Sequence, residues 1–171
     1  MATMEEILRS REKRVSIAES LSSLYKEIVV TFVLNIPGPE KNNLWIQEAF
    51  DYGLQDFLKF FSLSDIDLKK VLTENTGPEA FFIVRGENPM LFKRRLANFE
   101  DLHPIGRWFD IDLRDVNGNT FSRDQIGVKP RKCFICDKDA KECGRSRTHT
   151  ASELFAVTQK NLKAYLKSRT I

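Results

Sequence analysis

The sequence is poor in cysteine, and it lacks the long apolar runs of a membrane protein. Its three cysteines all lie within the eleven residues from Cys133 to Cys143. An odd number in one short segment is not a disulfide framework, and it favours a reducing compartment, for which we expect the cytoplasm. No window approaches the roughly 18 consecutive apolar residues of a membrane span. Residues 1–14 carry Glu and Arg where a signal peptide would be apolar.

An excess of charge of one sign is also missing. The formal net charge of the 171 residues is only +3, which does not by itself argue for nucleic acid or membrane binding. The sequence offers no evident serine–histidine–acid arrangement, so it gives no support for a nucleophile of its own. Thirteen phenylalanines are present, however, and they predict a core built on aromatic rings.

Helical and strand patterns alternate along the chain. Apolar residues at three- and four-residue steps predict helices over 3–26, 43–61, 88–99 and 151–167. β-Branched and aromatic runs predict strands over 28–34, 67–73, 80–85 and 108–113. Asn117-Gly118 predicts a hairpin turn that returns residues 120–126 beside the last strand. We therefore expect one domain over 1–171, an α+β or α/β layered fold with a mixed sheet and a helical layer.

Asp110 and Asp112 are the clearest chemical feature. On a strand, residues i and i+2 share a face, with Cα atoms roughly 6.5–7 Å apart. Two carboxylates at this spacing can bind one Mg²⁺-like divalent ion whose other ligands are phosphate oxygens and water. Two aspartates on the solvated face of an edge strand would have the same pattern, so the pair alone leaves both interpretations open.

Arginines surround this acidic pair. Guanidinium groups suit bidentate phosphate contacts, so the combination is typical of a metal–polyphosphate site, although a surface network of salt bridges would look the same. The arginines concerned are Arg107, Arg114, Arg123, Arg145 and Arg147.

Residues 129–150 are rich in Cys, Lys and Arg, and we expect them to be mostly loop. Cys133, Cys136, Cys143 and His149 have the spacing C-x₂-C-x₆-C-x₅-H, which predicts a candidate structural zinc site. Reduced thiols packed as small hydrophobic groups are the alternative. His149 has a second candidate role, as a general base for a serine hydroxyl.

Several segments in register make the sequence similar to one family, the apo-citrate lyase phosphoribosyl-dephospho-CoA transferases, from about residue 11 to the end of the chain. Gly144 and Thr148 depart from it, since alanine and a basic residue are expected there. The matching segments are Asn35–Pro39, Thr76–Ala80, His103–Arg107 with Asp110–Asp112, Ser122-Arg123, Arg131–Cys136, Cys143–His149 and Glu153-Leu154.

The resemblance implies a nucleotidyltransferase-like enzyme that acts on the carrier (γ) subunit of citrate lyase. The donor would be 2′-(5″-triphosphoribosyl)-3′-dephospho-CoA, the acceptor a serine of the carrier, and the by-product pyrophosphate. Asp110 and Asp112 would then bind the metal, and Arg107, Arg123, Arg145 and Arg147 the donor phosphates. His149 would be a base or a phosphate ligand. Asn35–Pro39, with Asn35 and Gly38, would form a donor loop.

Three alternatives remain open at this point. The carrier of malonate decarboxylase uses the same prosthetic group, so a transferase for that carrier is one of them. A zinc-stabilised nucleic-acid-binding module over residues 129–150 is another, although the aromatic residues are not interleaved with the basic ones. The third is a non-catalytic protein that only holds the carrier.

Overall fold

Four strands form the centre of the molecule in the computed structural model, which describes residues 1–61 and 66–169. The strands are β1 (Ile28–Leu34), β2 (Ile66–Glu74), β3 (Gly77–Val84) and β4 (Phe109–Arg114), arranged in the order β2-β3-β1-β4. The three pairings among the described residues are antiparallel. The expected α+β class is confirmed, and the sheet is antiparallel instead of mixed. β2 and β3 are joined by a tight turn, a connection that only antiparallel neighbours allow.

Five helices accompany this sheet within the described residues. Their boundaries are close to the predicted ones, except that the third extends further and the fourth was not predicted. They are α1 (Met4–Tyr25), α2 (Leu44–Phe61), α3 (Pro89–Leu102), α4 (Ala140–Ser146) and α5 (Ala151–Arg169). In the described part of the chain, no helix is both long and apolar enough to cross a bilayer.

Side-chain caps explain where these helices begin. Asn43 accepts a hydrogen bond from the N–H of Ile46 at the start of α2, and Thr150 forms a reciprocal capping box with Glu153 at the start of α5. Asp139 accepts bonds from the N–H groups of the first turn of α4. That cap lies inside the cysteine-rich segment, where the shortage of apolar residues hid a seven-residue helix from periodicity arguments.

Aromatic rings fill the main core, as predicted. The Phe32 ring on β1 lies 4.9 Å from that of Phe109, 5.5 Å from that of Phe50 and 5.6 Å from that of Phe57. All four are buried between one face of the sheet and helices α2, α3 and α5. The opposite face is covered by α1, whose Ala18 packs on Val29 and Ile83. The sheet therefore has one fully apolar face and one that is shared between apolar and polar groups.

The predicted return of residues 120–126 beside β4 is wrong beyond its first residue. Asn117-Gly118 does form a turn, with Gly118 at φ 84°, but only an isolated bridge joins Arg114 to Thr120. The free edge of β4 is occupied by side chains from α3 and from Arg131, so a strand has no backbone groups left to pair with at Ile111.

Candidate active site

The two aspartates lie on the same face of β4, which confirms the strand argument. Phe109, Ile111 and Leu113 are buried, whereas Asp110 and Asp112 alternate with them and are more exposed. Asp110 lies opposite Val33 and Asp112 opposite Thr31 on β1. Both carboxylates therefore lie on the face of the sheet that carries α1, beside the part that this helix covers.

The surroundings of Asp110 disfavour its charged form. Burial raises the pKa of Asp110, and the negative charge of Asp112 raises it further, whereas Arg131, Arg14 and Lys93 lower it. The Arg131 guanidinium approaches the Asp110 carboxylate to 3.7 Å. Since the nearby cations do not fully offset burial and repulsion, two hard oxygen donors at this spacing fit a divalent ion.

The backbone between the aspartates is held from the edge of the sheet. Glu100 accepts a hydrogen bond from the Ile111 N–H (3.2 Å), and Lys93 donates one to the Ile111 carbonyl (2.6 Å). Arg131 donates to the Phe109 carbonyl (2.8 Å) and to Glu100 (2.7 Å). These bonds satisfy polar groups that an edge strand would leave unpaired, so they fix the position of both carboxylates.

Glu100 and Lys93 are charged groups in an almost dry environment. Burial raises the pKa of Glu100, and the charges of Arg131, Arg123 and Lys93 act against that rise. Burial lowers the pKa of Lys93, with Asp112 and Glu100 opposing it. Buried charges of this kind persist only when they are paired and hydrogen-bonded.

Beside β4 lies a cavity of about 290 Å³, here called the basic cleft, with Glu100 and Asp101 as its acidic members. Within the described residues, Arg107 makes one side-chain hydrogen bond, from Nε to the Lys132 carbonyl, which leaves both terminal nitrogens free. Burial, and then the charge of Arg131, lowers the pKa of Arg107 to about 10, so the group stays cationic at neutral pH. The basic side chains that line the cleft are Arg107, Arg123, Lys129, Arg131 and Lys132.

Arg123 is engaged inside the protein. It donates to Glu100 at 2.7 Å and to Asp101 at 2.8 Å, and also contacts the carbonyls of Ala97 and Lys129. Its guanidinium therefore joins α3 to the segment after β4. The sequence left open whether the arginines bind phosphate or form salt bridges within the protein, and Arg123 forms salt bridges.

The cysteine segment closes into a cluster. One ligand atom from each of Cys133, Cys136, Cys143 and His149 lies within 4.8 Å of all the others, so the four residues could hold a metal ion. The Sγ atoms of Cys133 and Cys143 are 3.4 Å apart, and the three cysteines are free thiols. The Nε2 atom of His149 is buried and has no hydrogen-bond partner within the described residues.

The pKa of the Cys133 thiol is lower than that of an ordinary cysteine. Burial would raise its pKa, but hydrogen bonds from the backbone at Cys136 and Ile135, together with the other thiols, outweigh burial and bring the pKa to about 7. Burial and the hydrogen bond to Cys133 raise the pKa of Cys143 to about 11, so the thiolate form that binds metal is favoured at Cys133 and not at Cys143.

A second cavity, of about 540 Å³ and here called the cysteine-side cleft, is lined by six of the predicted residues: Asn35, Arg107, Cys133, Cys143, Arg147 and His149. Arg145 is exposed on α4 and is not among its lining residues. Gly38, at φ 79°, lies in the loop after β1, where an added β-carbon would contact Phe155 at 4.0 Å. Arg107 therefore lies between the two cavities. Of the other predicted donor-binding residues, Asn35 and Arg147 line the cysteine-side cleft and Arg123 lines the basic cleft, whereas Arg145 and Gly38 line neither.

Sequence reasoning missed Arg131, Lys93 and Glu100, and it also missed Arg14 of α1. Arg14 lies near the aspartates and donates to Glu79 of β3 at 2.6 Å, which also accepts a bond from Ser10. A signal was present, because Ser10 and Arg14 occupy helix positions that fall on the same side as Ala18. Polar residues at inward positions of a helix indicate a polar surface underneath.

Comparisons of the sequence with known proteins identify its family. The sequence model of the family described as apo-citrate lyase phosphoribosyl-dephospho-CoA transferase matches residues 2–165. A probable apo-citrate lyase phosphoribosyl-dephospho-CoA transferase of Vibrio cholerae is 30% identical over 95% of this chain and 93% of its own length. One from Streptococcus pyogenes serotype M18 is 33% identical over 95% of this chain and 86% of its own.

A longer relative contains the same region. Protein CitXG of Leuconostoc mesenteroides subsp. cremoris is 33% identical over 97% of this chain, which spans 36% of that protein. The match thus extends over nearly the whole chain in relatives of different length, including the strand with the two aspartates and the cysteine segment. On this evidence the chain belongs to the apo-citrate lyase phosphoribosyl-dephospho-CoA transferase family.

Proposed function

We propose that the chain transfers the phosphoribosyl-dephospho-CoA group from its triphosphate precursor to a serine of the citrate lyase carrier subunit, with release of pyrophosphate. The observation that supports this most directly is the aspartate pair on one face of β4, with Arg131 3.7 Å from Asp110. Family membership supports the reaction class and the carrier. The nucleophile belongs to the partner protein, which agrees with the lack of a nucleophilic triad in this sequence.

In this reaction the serine oxygen forms a bond to the α-phosphorus of the donor, and the bond from that phosphorus to the pyrophosphate oxygen breaks. The hydroxyl proton passes to water. Arg107 and Arg131 would stabilise negative charge on the phosphate oxygens, since both line the basic cleft beside β4. Asp110 and Asp112 would hold a divalent ion, which when bound offsets charge on the triphosphate.

The His149 side chain suits metal binding better than proton transfer. A ring nitrogen of His149 lies within 4.8 Å of the three thiol sulfurs, and its Nε2 is buried without a hydrogen-bond partner within the described residues. A coordinated imidazole nitrogen cannot accept a proton. The chain's other histidine, His103, contacts Asp56 through Nε2 at 3.1 Å and accepts the Ile105 N–H at Nδ1, so it is not available either.

Zn²⁺ is the ion we propose for the cysteine cluster. Three thiolates and one imidazole form a donor set typical of closed, tetrahedral, structural zinc sites, and four protein ligands leave no position for a reactant. Purified protein is expected to contain about one equivalent of zinc by elemental analysis. A Cys143→Ser variant should lose most of it, whereas wild-type protein free of zinc would contradict the proposal.

The transfer reaction can be tested by weighing the carrier. The protein, Mg²⁺ and the triphosphate donor are incubated with the apo-carrier of citrate lyase or with that of malonate decarboxylase, and each carrier is measured by mass spectrometry. The citrate lyase carrier is expected to gain the mass of one prosthetic group. A carrier whose acceptor serine is replaced by alanine serves as the control.

Each result has a definite meaning. A gain confined to the malonate decarboxylase carrier would replace the proposed acceptor and keep the chemistry. No gain on either carrier would contradict the proposed function.

A further inference from the structure

Phe134 connects the cysteine cluster to the catalytic strand. It follows Cys133 directly, and its ring lies 4.0 Å below the Arg107 guanidinium. The ring also stacks on Trp108, at 5.5 Å and 19°. Arg107 and Trp108 belong to the 3₁₀ turn Gly106–Trp108 that runs directly into β4. One side chain of the metal-binding segment therefore packs against two consecutive residues that precede the aspartates.

Two more contacts hold Arg107 and Trp108 in place. The Arg107 Nε donates to the carbonyl of Lys132, which precedes Cys133. The Trp108 indole N–H donates to Thr158 of α5 at 2.9 Å, and Thr158 is fully buried. Arg107 is thus held on both sides of Cys133, through a carbonyl and a ring, while its terminal nitrogens stay free to bind an anion.

We infer that the metal centre positions Arg107 for the donor phosphates and that Phe134 transmits this effect. Residues 129–150 have few apolar groups and little regular structure apart from α4, so packing restrains the Phe134 ring less than a bound ion, which fixes both neighbours of Cys133. A guanidinium on an aromatic face loses rotational freedom and is presented in one orientation. The inference rests on the proposed function for its substrate, but its structural part concerns metal and ring only.

The first experiment tests by tryptophan fluorescence whether loss of the metal changes the surroundings of Trp108. The chain contains two tryptophans, so a Trp45→Phe background leaves Trp108 as the only one. Adding Cys143→Ser should remove the metal and change the Trp108 emission, because the ring stacked on it loses its support. An unchanged emission in metal-free protein would overturn the coupling.

The second experiment tests the Phe134 ring with variants that keep the metal. Phe134→Leu is expected to retain one equivalent of metal, to bind inorganic pyrophosphate about tenfold more weakly in calorimetry, and to raise KM for the donor about tenfold with little change in kcat. Phe134→Tyr should restore both values. Phe60→Leu, at an aromatic residue of α2 outside both cavities, is the matched control and should behave as wild type.

The outcomes separate this inference from the proposed function. Metal-loaded Phe134→Leu protein with wild-type pyrophosphate binding and KM would overturn the inference while carrier modification still stands. Weakened pyrophosphate binding in Phe134→Leu, with no modification of any carrier by wild type, would support the Arg107 anion site and overturn the proposed function. Wild-type protein that neither binds pyrophosphate nor modifies a carrier would overturn both.

Discussion

An Asp112→Asn variant is expected to transfer the prosthetic group at about one-thousandth of the wild-type rate, a loss of the size seen when a group that stabilises transition-state charge is removed. Asp112 is exposed, and its side chain makes no hydrogen bond or ion pair within the described residues. Its charge repels that of Asp110 and supports that of Lys93, and because these effects oppose each other the substitution should leave the circular dichroism spectrum unchanged and shift the unfolding midpoint only slightly. Carrier modification measured by mass spectrometry gives the rate.

Asp124→Asn is the matched control, since Asp124 is exposed in the turn after Arg123 and lies outside the basic and cysteine-side clefts. It should transfer at the wild-type rate. Full activity of Asp112→Asn would show that this carboxylate takes no part in the reaction.

The neighbouring Asp110→Asn variant should separate activity from stability. The folded-state pKa of Asp110 is raised, so its contribution to stability is present below the unfolded carboxyl pKa and is lost as the pH rises through the folded value. At neutral pH, asparagine removes that disadvantage. We therefore expect Asp110→Asn to be inactive and at least as stable as wild type, a combination typical of a residue retained for chemistry.

A Glu100→Ala variant is expected to be less stable than wild type by about 3–5 kcal/mol, the cost of breaking a buried ion pair from one side. The Glu100 side chain is only 3% exposed and accepts bonds from Arg123, Arg131 and the Ile111 N–H. Its removal leaves two guanidinium groups and a strand amide without their partner. Urea unfolding, in buffer without chelator so that bound metal is kept, measures the difference.

The adjacent residue provides a close control. Asp101 also binds Arg123, at 2.8 Å, but its side chain is 54% exposed. Exposed ion pairs contribute roughly 0–1 kcal/mol, so Asp101→Ala should cost little. Equal destabilisation by the two substitutions would mean that Arg123, and not the contact of Glu100 with β4, carries the effect.

The parts of this structure that follow a local period could be predicted from the sequence. Strand β1 was predicted from its continuous β-branched and aromatic run, and the placement of Asp110 and Asp112 on one face from alternation along a strand; both are confirmed. The start of the second helix, predicted at 43, depends on its immediate neighbours and agrees with the cap that Asn43 forms. In each case the deciding interactions lie within a few residues, where local chemistry is sufficient.

The surroundings of the aspartates could not be predicted in the same way. Lys93 and Glu100 belong to a helix whose polar residues look ordinary in sequence, yet both are buried against β4. Arg131 reaches Phe109 across 22 positions, and Arg14 comes from a helix at the other end of the chain. Proximity of this kind depends on how layers pack, and a single sequence carries no direct record of it.

The arginines show the same limit from the opposite side. Arg107 and Arg123 look equivalent in sequence, because they flank strand β4 on either side. In the structure Arg123 forms ion pairs with Glu100 and Asp101. The Arg107 guanidinium lies above the Phe134 ring, and its two terminal nitrogens have no hydrogen-bond partner within the described residues. Whether a guanidinium serves the fold or a ligand is decided by which carboxylates happen to be within reach.

The closed edge of β4 has a consequence for solubility. A border strand normally offers a row of amides and carbonyls on which another chain can polymerise. Lys93, Glu100 and Arg131 occupy those groups at Phe109 and Ile111, so a foreign backbone finds no template there. The opposite border, β2, carries Lys69 and Lys70, which oppose stacking of like chains by charge. The protein can therefore keep the strand that carries Asp110 and Asp112 at the margin of the sheet without inviting aggregation.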